Sequence, residues 1–468
     1  MLCVGEPKRG VSGGVEVAIP TVRGPAMRRL SRRPWRVKGG SDLKVLVVGS
    51  GGREHALAWK IAASPLVDAV LAVPGSDALA RVADCRPEIG ARKGAAIVAL
   101  ARAERVGLVV IGPEDPLVDG LADRLREADI PVFGPSAAAA RLEGSKSFAK
   151  EFMRRHGIPT AGYRVFGRLD EALAHVRERG GPCVVKADGL AAGKGVAMCA
   201  TAEEAERALR EMMAEGRFGE AGRTVVIEDW IRGEEVSYHA ISDGERIVTL
   251  AAAQDHKRAL DGDQGENTGG MGAYSPPPVV TEEVERRIRE RIVEPTIRGM
   301  AAEGAPYCGV LYAGLMIDAQ GEPFVIEYNV RFGDPETQPL MMRMQGDLMP
   351  LLFGAARGAL PERAALGWGD AAVCVVLASA GYPREYAKGR PIDGLERAEA
   401  DPGVVVFHAG TRRRADGAFE TSGGRVLGVT ARGATVKEAR DRAYAAVDAI
   451  HFEGVHFRRD IAARALGR

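Results

Sequence analysis

Short apolar runs and amphipathic stretches alternate from residue 44 onward, and this rhythm predicts a parallel α/β sheet. "KVLVVG" reads as a strand and "REHALAWKIAAS" as the helix after it. "AVLAVPGS", "GLVVIGPED" and "PVFGPS" continue the pattern, each ending in glycine or proline signals. Ligands of such sheets gather beyond the carboxyl ends of the strands, which predicts one functional rim at 49–55, 74–76 and 113–115. After Ser136 the spacing predicts one helix through "AAAARLEGSKSFAKEFMRRHG", stopping near Gly157 and Pro159. "CVVKADG" reads as a strand, and "TAEEAERALREMMAEG" as a helix capped by Thr201 with Glu204 completing the capping box. "TVVIEDWI" and "EEVSYHAISDG" are further strands, and "GVLYAGLMID" and "PFVIEYN" form a pair joined by the turn "AQGE". Beyond about residue 346, three apolar strands and the capped helix "TVKEARDRAYAAVDAI" predict a small α+β module.

Composition narrows the class. At 468 residues, with 46% hydrophobic and 27% charged positions, the chain has room for about three domains with their own cores. A net charge of +1 gives no bulk electrostatic reason to bind nucleic acid or an anionic membrane. No apolar stretch approaches the ~18 residues of a membrane span, and the six cysteines show no C-x-x-C pair, as expected of reduced thiols in a cytoplasmic protein. Residues 1–43 stand apart: they are arginine-rich, lack hydrophobic periodicity and read as a disordered extension.

Four stretches carry candidate chemistry. "KADGLAAGKGVAM", residues 186–198, leaves a strand through glycines and lysines, and backbone amides beside ammonium groups make a cradle for phosphate oxygens. It is not a P-loop, because G189-x-x-x-G193-K194-G195 has neither that spacing nor the following Ser or Thr. The first turn, G49-S-G51-G52-R53-E54, has Glu54 where a dinucleotide fingerprint needs its third glycine; a nicotinamide site is disfavoured, but a helix N-terminus beside Arg53 suits a phosphate monoester. In "FVIEYNVRF", alternation predicts Phe324, Ile326, Tyr328 and Val330 on one face and Glu327, Asn329 and Arg331 on the other. A carboxylate and an amide oxygen two positions apart can converge on one hard cation, with nucleotide phosphates completing its shell. Residues 254–276 ("QDHKRALDGDQGENTGGMGAYSP") read as a long loop closing over a substrate, with His256 a hydrogen-bonding or packing residue because no serine or cysteine nucleophile accompanies it.

In this order, "GGREHALAWK", "KADGLAAGKGV", the 254–276 stretch and "IEYNVRFGDPETQP" closely resemble the phosphoribosylamine–glycine ligase family of the ATP-grasp superfamily, over some nine tenths of the chain. The resemblance implies an N-terminal parallel α/β substrate-binding domain at 44–143, an ATP-grasp domain of two α+β lobes at 144–345, and a C-terminal α+β domain at 346–468. It implies that Lys146, Lys186, Gly189, Gly193, Lys194 and Gly195 surround ATP phosphates, that Glu228 lies beside adenine, and that Glu235 accepts from the ribose. Glu327 and Asn329 look like ligands of Mg2+ or Mn2+. Lys194, Arg331 and Asp255 are the expected catalytic residues. Gly51, Gly52, Arg53, Glu54, Asp255, Lys257, Asn267, Gly269, Gly270, Met271 and Arg331 are expected around glycine and phosphoribosylamine. The implied enzyme is a cytoplasmic monomer acting on small molecules: ATP, glycine and 5-phosphoribosylamine. Many ATP-grasp enzymes carry an acidic metal ligand where this chain has Gly314, which puts a second tightly held magnesium in doubt. Two rivals predict different behaviour: a carboxylase of a purine intermediate would use another acceptor, and a nucleotide-sensing protein would bind ATP without turnover.

Overall fold

The computed structural model describes residues 43–191, 194–362 and 365–467. The expectation for residues 1–43 therefore falls, except for Leu43, outside the described residues, as does that for Gly193. At the N-terminal end, Asp84–Cys85, Ala69–Pro74, Lys44–Gly49, Leu108–Ile111 and Val132–Phe133 form a parallel sheet in that spatial order. Its central strands are largely apolar because both faces are covered: Val45, Leu46, Val47 and Val48 are all 0% exposed. The helix Gly52–Ala62 starts directly at the end of the first strand.

The single helix expected after Ser136 is two helices, Ala137–Gly144 and Lys146–Arg155. Ser145 between them is extended (φ −145°, ψ 113°), and its hydroxyl caps the second helix by accepting the Phe148 N–H at 3.2 Å. Asp188 reinforces the break, accepting the Ser147 N–H at 2.6 Å. Helical periodicity ran through the join, but a capping serine and a distant carboxylate together outweigh one continued turn.

Two four-stranded antiparallel sheets follow. One contains Tyr163–Phe166, Val225–Asp229, Cys183–Ala187 and Val196–Cys199; the other contains Ile247–Thr249, Glu234–Asp243, Cys308–Ile317 and Pro323–Asn329. In the last strand the expected apolar face holds at Tyr328 and Val330 but fails ahead of them, at Phe324 and Ile326. Gly314 pairs with Glu327 and Leu315 with Val325, so Ile326 is the extra residue of a β-bulge. The buried set is Val325, Tyr328 and Val330, at 0%, 2% and 1% exposure, with Ile326 only half-buried.

The 254–276 stretch is not a free loop. Gln254–Asp255 and Gly272–Ser275 join the C-terminal sheet beside Ala371–Ala378, Arg425–Gly433 and Val404–His408, while Arg258–Leu260 and Gln264–Asn267 make a small hairpin. The helix Val436–Ala449 packs on this sheet, with Thr435 as its cap. Among the described residues no helix is long and apolar enough to cross a membrane.

Candidate active site

Strand Cys183–Ala187 is buried on both faces, yet it carries Lys186, only 3% exposed, into the wall of a cleft of about 790 Å³. A buried ammonium needs partners. Lys186 finds the Glu228 carboxylate at 2.9 Å and the Ile326 carbonyl at 2.9 Å. That carbonyl belongs to the bulge residue, so the irregularity in the strand frees an acceptor for the lysine. Glu228 holds a second ammonium, Lys150, at 2.9 Å, and Lys150 also donates to Thr160 at 2.7 Å. Burial pulls the Lys150 pKa down to about 8, with Glu228 opposing. Lys146, the first residue of the second helix, lines the cleft and donates to the Gly189 carbonyl at 3.3 Å; burial lowers its pKa while Glu327 opposes.

Glu327 and Asn329 both line this cleft. Lys257 lies 3.3 Å from the Glu327 carboxylate, and with Lys186 and Lys146 it holds that carboxyl at about 2 against burial. Burial works against the Lys257 ammonium, but Glu327 and Glu235 keep its pKa well above the ordinary value; Glu235 stands 3.8 Å away. An ionised carboxylate and an amide oxygen facing one cleft fit a hard divalent cation shared with phosphate oxygens. The residue opposite Glu327 on the neighbouring strand is Gly314, whose built Cβ would stand 3.1 Å from the Glu327 Cγ, so that position offers no second acid. No group of three or more His, Cys, Asp or Glu side chains forms a protein-only cage among the described residues.

Arg331 continues the polar face. It pairs with Glu114 at 3.1 Å and Glu143 at 3.0 Å, and Glu143 also accepts the Val330 N–H at 2.7 Å. Burial raises the Glu143 carboxyl to about 7, with Arg331 opposing; burial also acts on Glu114, but Arg331 and Arg53 hold it at about 2. Arg53 lines the cleft and donates to the Phe332 carbonyl at 3.1 Å. Its neighbours Gly51, Gly52 and Glu54 do not line the cleft. Glu54 turns back on its own helix, accepting the Gly51 N–H at 2.7 Å and the Arg53 Nε at 2.5 Å. The helix N-terminus expected to hold a phosphate thus already faces a carboxylate.

From the 254–276 stretch, Asp255, Lys257, Asn267 and Gly269 line the cleft. Burial and the nearby Glu336 push the Asp255 carboxyl well above its usual range, with Lys257 opposing. Gly270 is left-handed (φ 111°) and wedged so that a Cβ would meet Pro335 at 2.4 Å and Asp255 at 2.8 Å; Met271 is fully buried. Neither lines the cleft; both sit behind its wall. His256 packs in the interior, its Nε2 accepting the Ala462 N–H at 3.3 Å, and burial drops its pKa to about 3. On the glycine-rich loop, Gly195 lines the cleft but Gly189 does not. Lys194 is exposed and donates to the Pro383 carbonyl at 2.9 Å, away from the cleft lining.

Sequence reasoning missed Lys150, Glu143, Glu336 and Arg425. Glu114 lay on the named rim, in "GPED"; Lys150 and Glu143 look like ordinary helical charges. Glu336 follows the polar strand and receives the hydroxyls of Ser237 and Tyr312 at 2.8 and 2.6 Å. Arg425 reaches in from the C-terminal sheet to the Gly269 carbonyl at 2.6 Å and to Asp334 at 2.8 Å.

Three family descriptions match the chain in order: the phosphoribosylglycinamide synthetase N domain over 43–143, the ATP-grasp (A) domain over 144–337 and the C domain over 372–464. A phosphoribosylamine–glycine ligase of Escherichia coli O6:H1 is 53% identical over 432 residues, 91% of this chain and 99% of that one. The crystal structure of the corresponding ligase from Thermotoga maritima superposes with a TM-score of 0.76 at 35% identity, covering 90% of this chain and all of that one. A biotin carboxylase domain from Hydrogenobacter thermophilus, solved with MgADP, shares the fold at a TM-score of 0.67 and 18% identity over 88% of this chain.

Proposed function

The chain belongs to the phosphoribosylglycinamide synthetase family and is an ATP-dependent ligase; from that premise we propose that its cleft joins glycine to 5-phosphoribosylamine in purine biosynthesis, releasing ADP and phosphate. The observation that carries the proposal is the convergence of Glu327 and Asn329 with Lys146, Lys186 and Lys257 in one cleft. Such a cluster binds and neutralises a triphosphate. A carboxylate oxygen of glycine attacks the γ-phosphorus of ATP, the bond to the bridging oxygen breaks, and ADP leaves glycyl phosphate behind. The amine of phosphoribosylamine then attacks the acyl carbon, the bond to the phosphoryl oxygen breaks, and the nitrogen sheds one proton as the amide forms. The nucleophile arrives with the substrate, so the protein needs no serine or cysteine.

Glu327 and Asn329 would hold a divalent cation, Mg2+ or Mn2+, which supplies charge neutralisation at the phosphates when bound. Lys146 and Lys186 bind phosphate oxygens. Lys194 joins them when the glycine-rich loop closes and its bond to Pro383 is exchanged for one to phosphate. Arg331, held by Glu114 and Glu143, steadies the glycine carboxylate or the migrating phosphoryl group. Glu228 acts here through Lys186 and Lys150. Asp255, Asn267 and Gly269, with Arg53, border phosphoribosylamine. The working division is 44–143 and 346–468 for the flanking domains and 144–345 for the ATP-grasp domain.

The test supplies ATP, glycine and freshly generated phosphoribosylamine, then omits each in turn. ADP release should require all three. Turnover that persists without glycine rejects the proposal.

A further inference from the structure

The strands Arg258–Leu260 and Gln264–Asn267 form a two-stranded sheet that joins no larger sheet among the described residues. An isolated hairpin is marginal in water unless something else fixes it. Apolar packing contributes little here: Ala259 is buried, but Leu260 is 49% exposed, and the turn passes through left-handed Gly262 and Asp263 at φ 68° and 56°. Yet Arg258, Asp263 and Asn267 all line the cleft. The placement of this hairpin therefore decides part of the cleft's shape.

Residues 456–464, from the far end of the chain, fix it. Arg458 is a charged side chain only 1% exposed, and all three of its guanidinium nitrogens donate hydrogen bonds. Its Nε and Nη2 donate to the two oxygens of Asp460 at 2.7 and 2.6 Å, while Nη1 donates to Asp263 at 2.8 Å and to the Arg258 carbonyl at 3.2 Å. Around it, Asp460 accepts the Gly262 N–H at 2.9 Å, Asp261 accepts the Arg459 N–H at 2.7 Å, and the His456 ring meets the Ala259 carbonyl at 2.8 Å. The segment is anchored in turn on the helix Val436–Ala449. Tyr444 donates its hydroxyl to the Arg458 carbonyl at 2.7 Å and accepts the Ile461 N–H at 3.1 Å, and Arg440 donates to the Ile461 and Arg459 carbonyls, both at 2.9 Å. Rigid helix, strap and hairpin are thus linked by a network centred on one planar cation, whose fork no ammonium reproduces, with Arg464 a second guanidinium on Asp263.

We infer that Arg458 is a positioning residue for the ligation, setting where the hairpin presents Arg258, Asp263 and Asn267 to the phosphoribosylamine side of the cleft. Arg458 does not itself line the cleft, so its effect passes through Asp263 and the Arg258 backbone. Which substrate is affected rests on the proposed reaction; the placement of the hairpin does not.

The test is Arg458→Met, which keeps an unbranched apolar stem and removes the fork. Asp263 and Asp460 are 43% and 28% exposed, so the carboxylates left behind keep water and the variant folds. Amides of 258–267 should exchange hydrogen about tenfold faster while those of Cys308–Ile317 keep the wild-type rate. ADP affinity, measured by calorimetry, should stay within about twofold, and kcat/KM for phosphoribosylamine should fall about ten- to a hundredfold, the cost of misplacing contact groups by about 1 Å. Arg458→Lys should restore only part of it. Unchanged exchange in 258–267 overturns the inference, and so does faster exchange across both segments with KM unaltered, which marks a purely structural role. Should Arg458→Met fail to fold, Asp460→Asn takes its place with the same readings. If the wild-type enzyme shows no turnover with glycine and phosphoribosylamine, the proposed reaction falls, and the exchange comparison still decides the role of Arg458.

Discussion

Replacing Glu228 by glutamine removes the one carboxylate shared by Lys186 and Lys150, all three being less than 5% exposed. Breaking a buried ion pair from one side typically costs about 3–5 kcal/mol, because the remaining charge has lost its compensation. A ceiling can be worked out for Lys150. Its ammonium ordinarily titrates near 10.5 and is already pulled down to about 8 by burial, with Glu228 opposing. Without Glu228 it can escape by shedding its proton, and from a folded pKa of about 8 that costs about 1.4 kcal/mol at pH 7, which caps the Lys150 share of the deficit. Lys186 loses the same partner, and with its share added the deficit at pH 7 should be about 3–5 kcal/mol. Its sign with pH follows: as pH rises through about 8 the wild-type Lys150 also loses its proton, its share of the deficit disappears, and the deficit shrinks. Urea unfolding of both proteins at pH 7, 8.5 and 10, followed by circular dichroism, measures this. A deficit under about 1 kcal/mol that stays flat with pH would show that solvent reaches the triad, and the account of Lys186 as a desolvated phosphate ligand would fail with it.

Glu327→Gln should abolish turnover and lower thermal stability at neutral pH, because the ionised carboxylate's pairing with Lys257 goes with it. The wild-type carboxyl sits at about 2 instead of 4.5, chiefly because of Lys257, so it contributes stability above pH 4.5 that is lost as pH falls toward 2; acid unfolding of the variant should be shallower in that window. Glu143 is raised to about 7 by burial, so a kcat/KM profile with an ionisation near pH 7 should lose that limb in Glu143→Gln; an unchanged profile removes Glu143 from the reaction. Gly112→Ala would place a Cβ 2.2 Å from Glu54 Oε1 and should cost about 1–3 kcal/mol in a denaturant titration. Lys194→Ala loses only the 2.9 Å bond to Pro383 in this conformation, so stability should change by less than about 1 kcal/mol while turnover falls; normal turnover would exclude loop closure through Lys194.

The polar parity of Glu327, Asn329 and Arg331 was legible in the sequence because side-chain alternation is local, and the bulge at Ile326 lies just ahead of it. The apolar parity failed only at the bulge and ahead of it, at Ile326 and Phe324, because the extra residue shows up in the pairing with the neighbouring strand and not within the strand itself. The parallel N-terminal sheet was equally readable from its apolar runs, and the glycine-rich turn from its composition. The break at Ser145 needed Asp188, more than forty residues away, and the settling of 254–276 into the C-terminal sheet needed a strand about a hundred residues on. Lys150 and Glu143 carried no signal at all. A charge becomes a functional or structural partner only when burial raises the cost of leaving it alone, and burial is fixed by which distant segments pack together. Periodicity, glycine and capping residues are determined by neighbours along the chain; the pairing of buried charges was decided only when the tertiary structure removed their water.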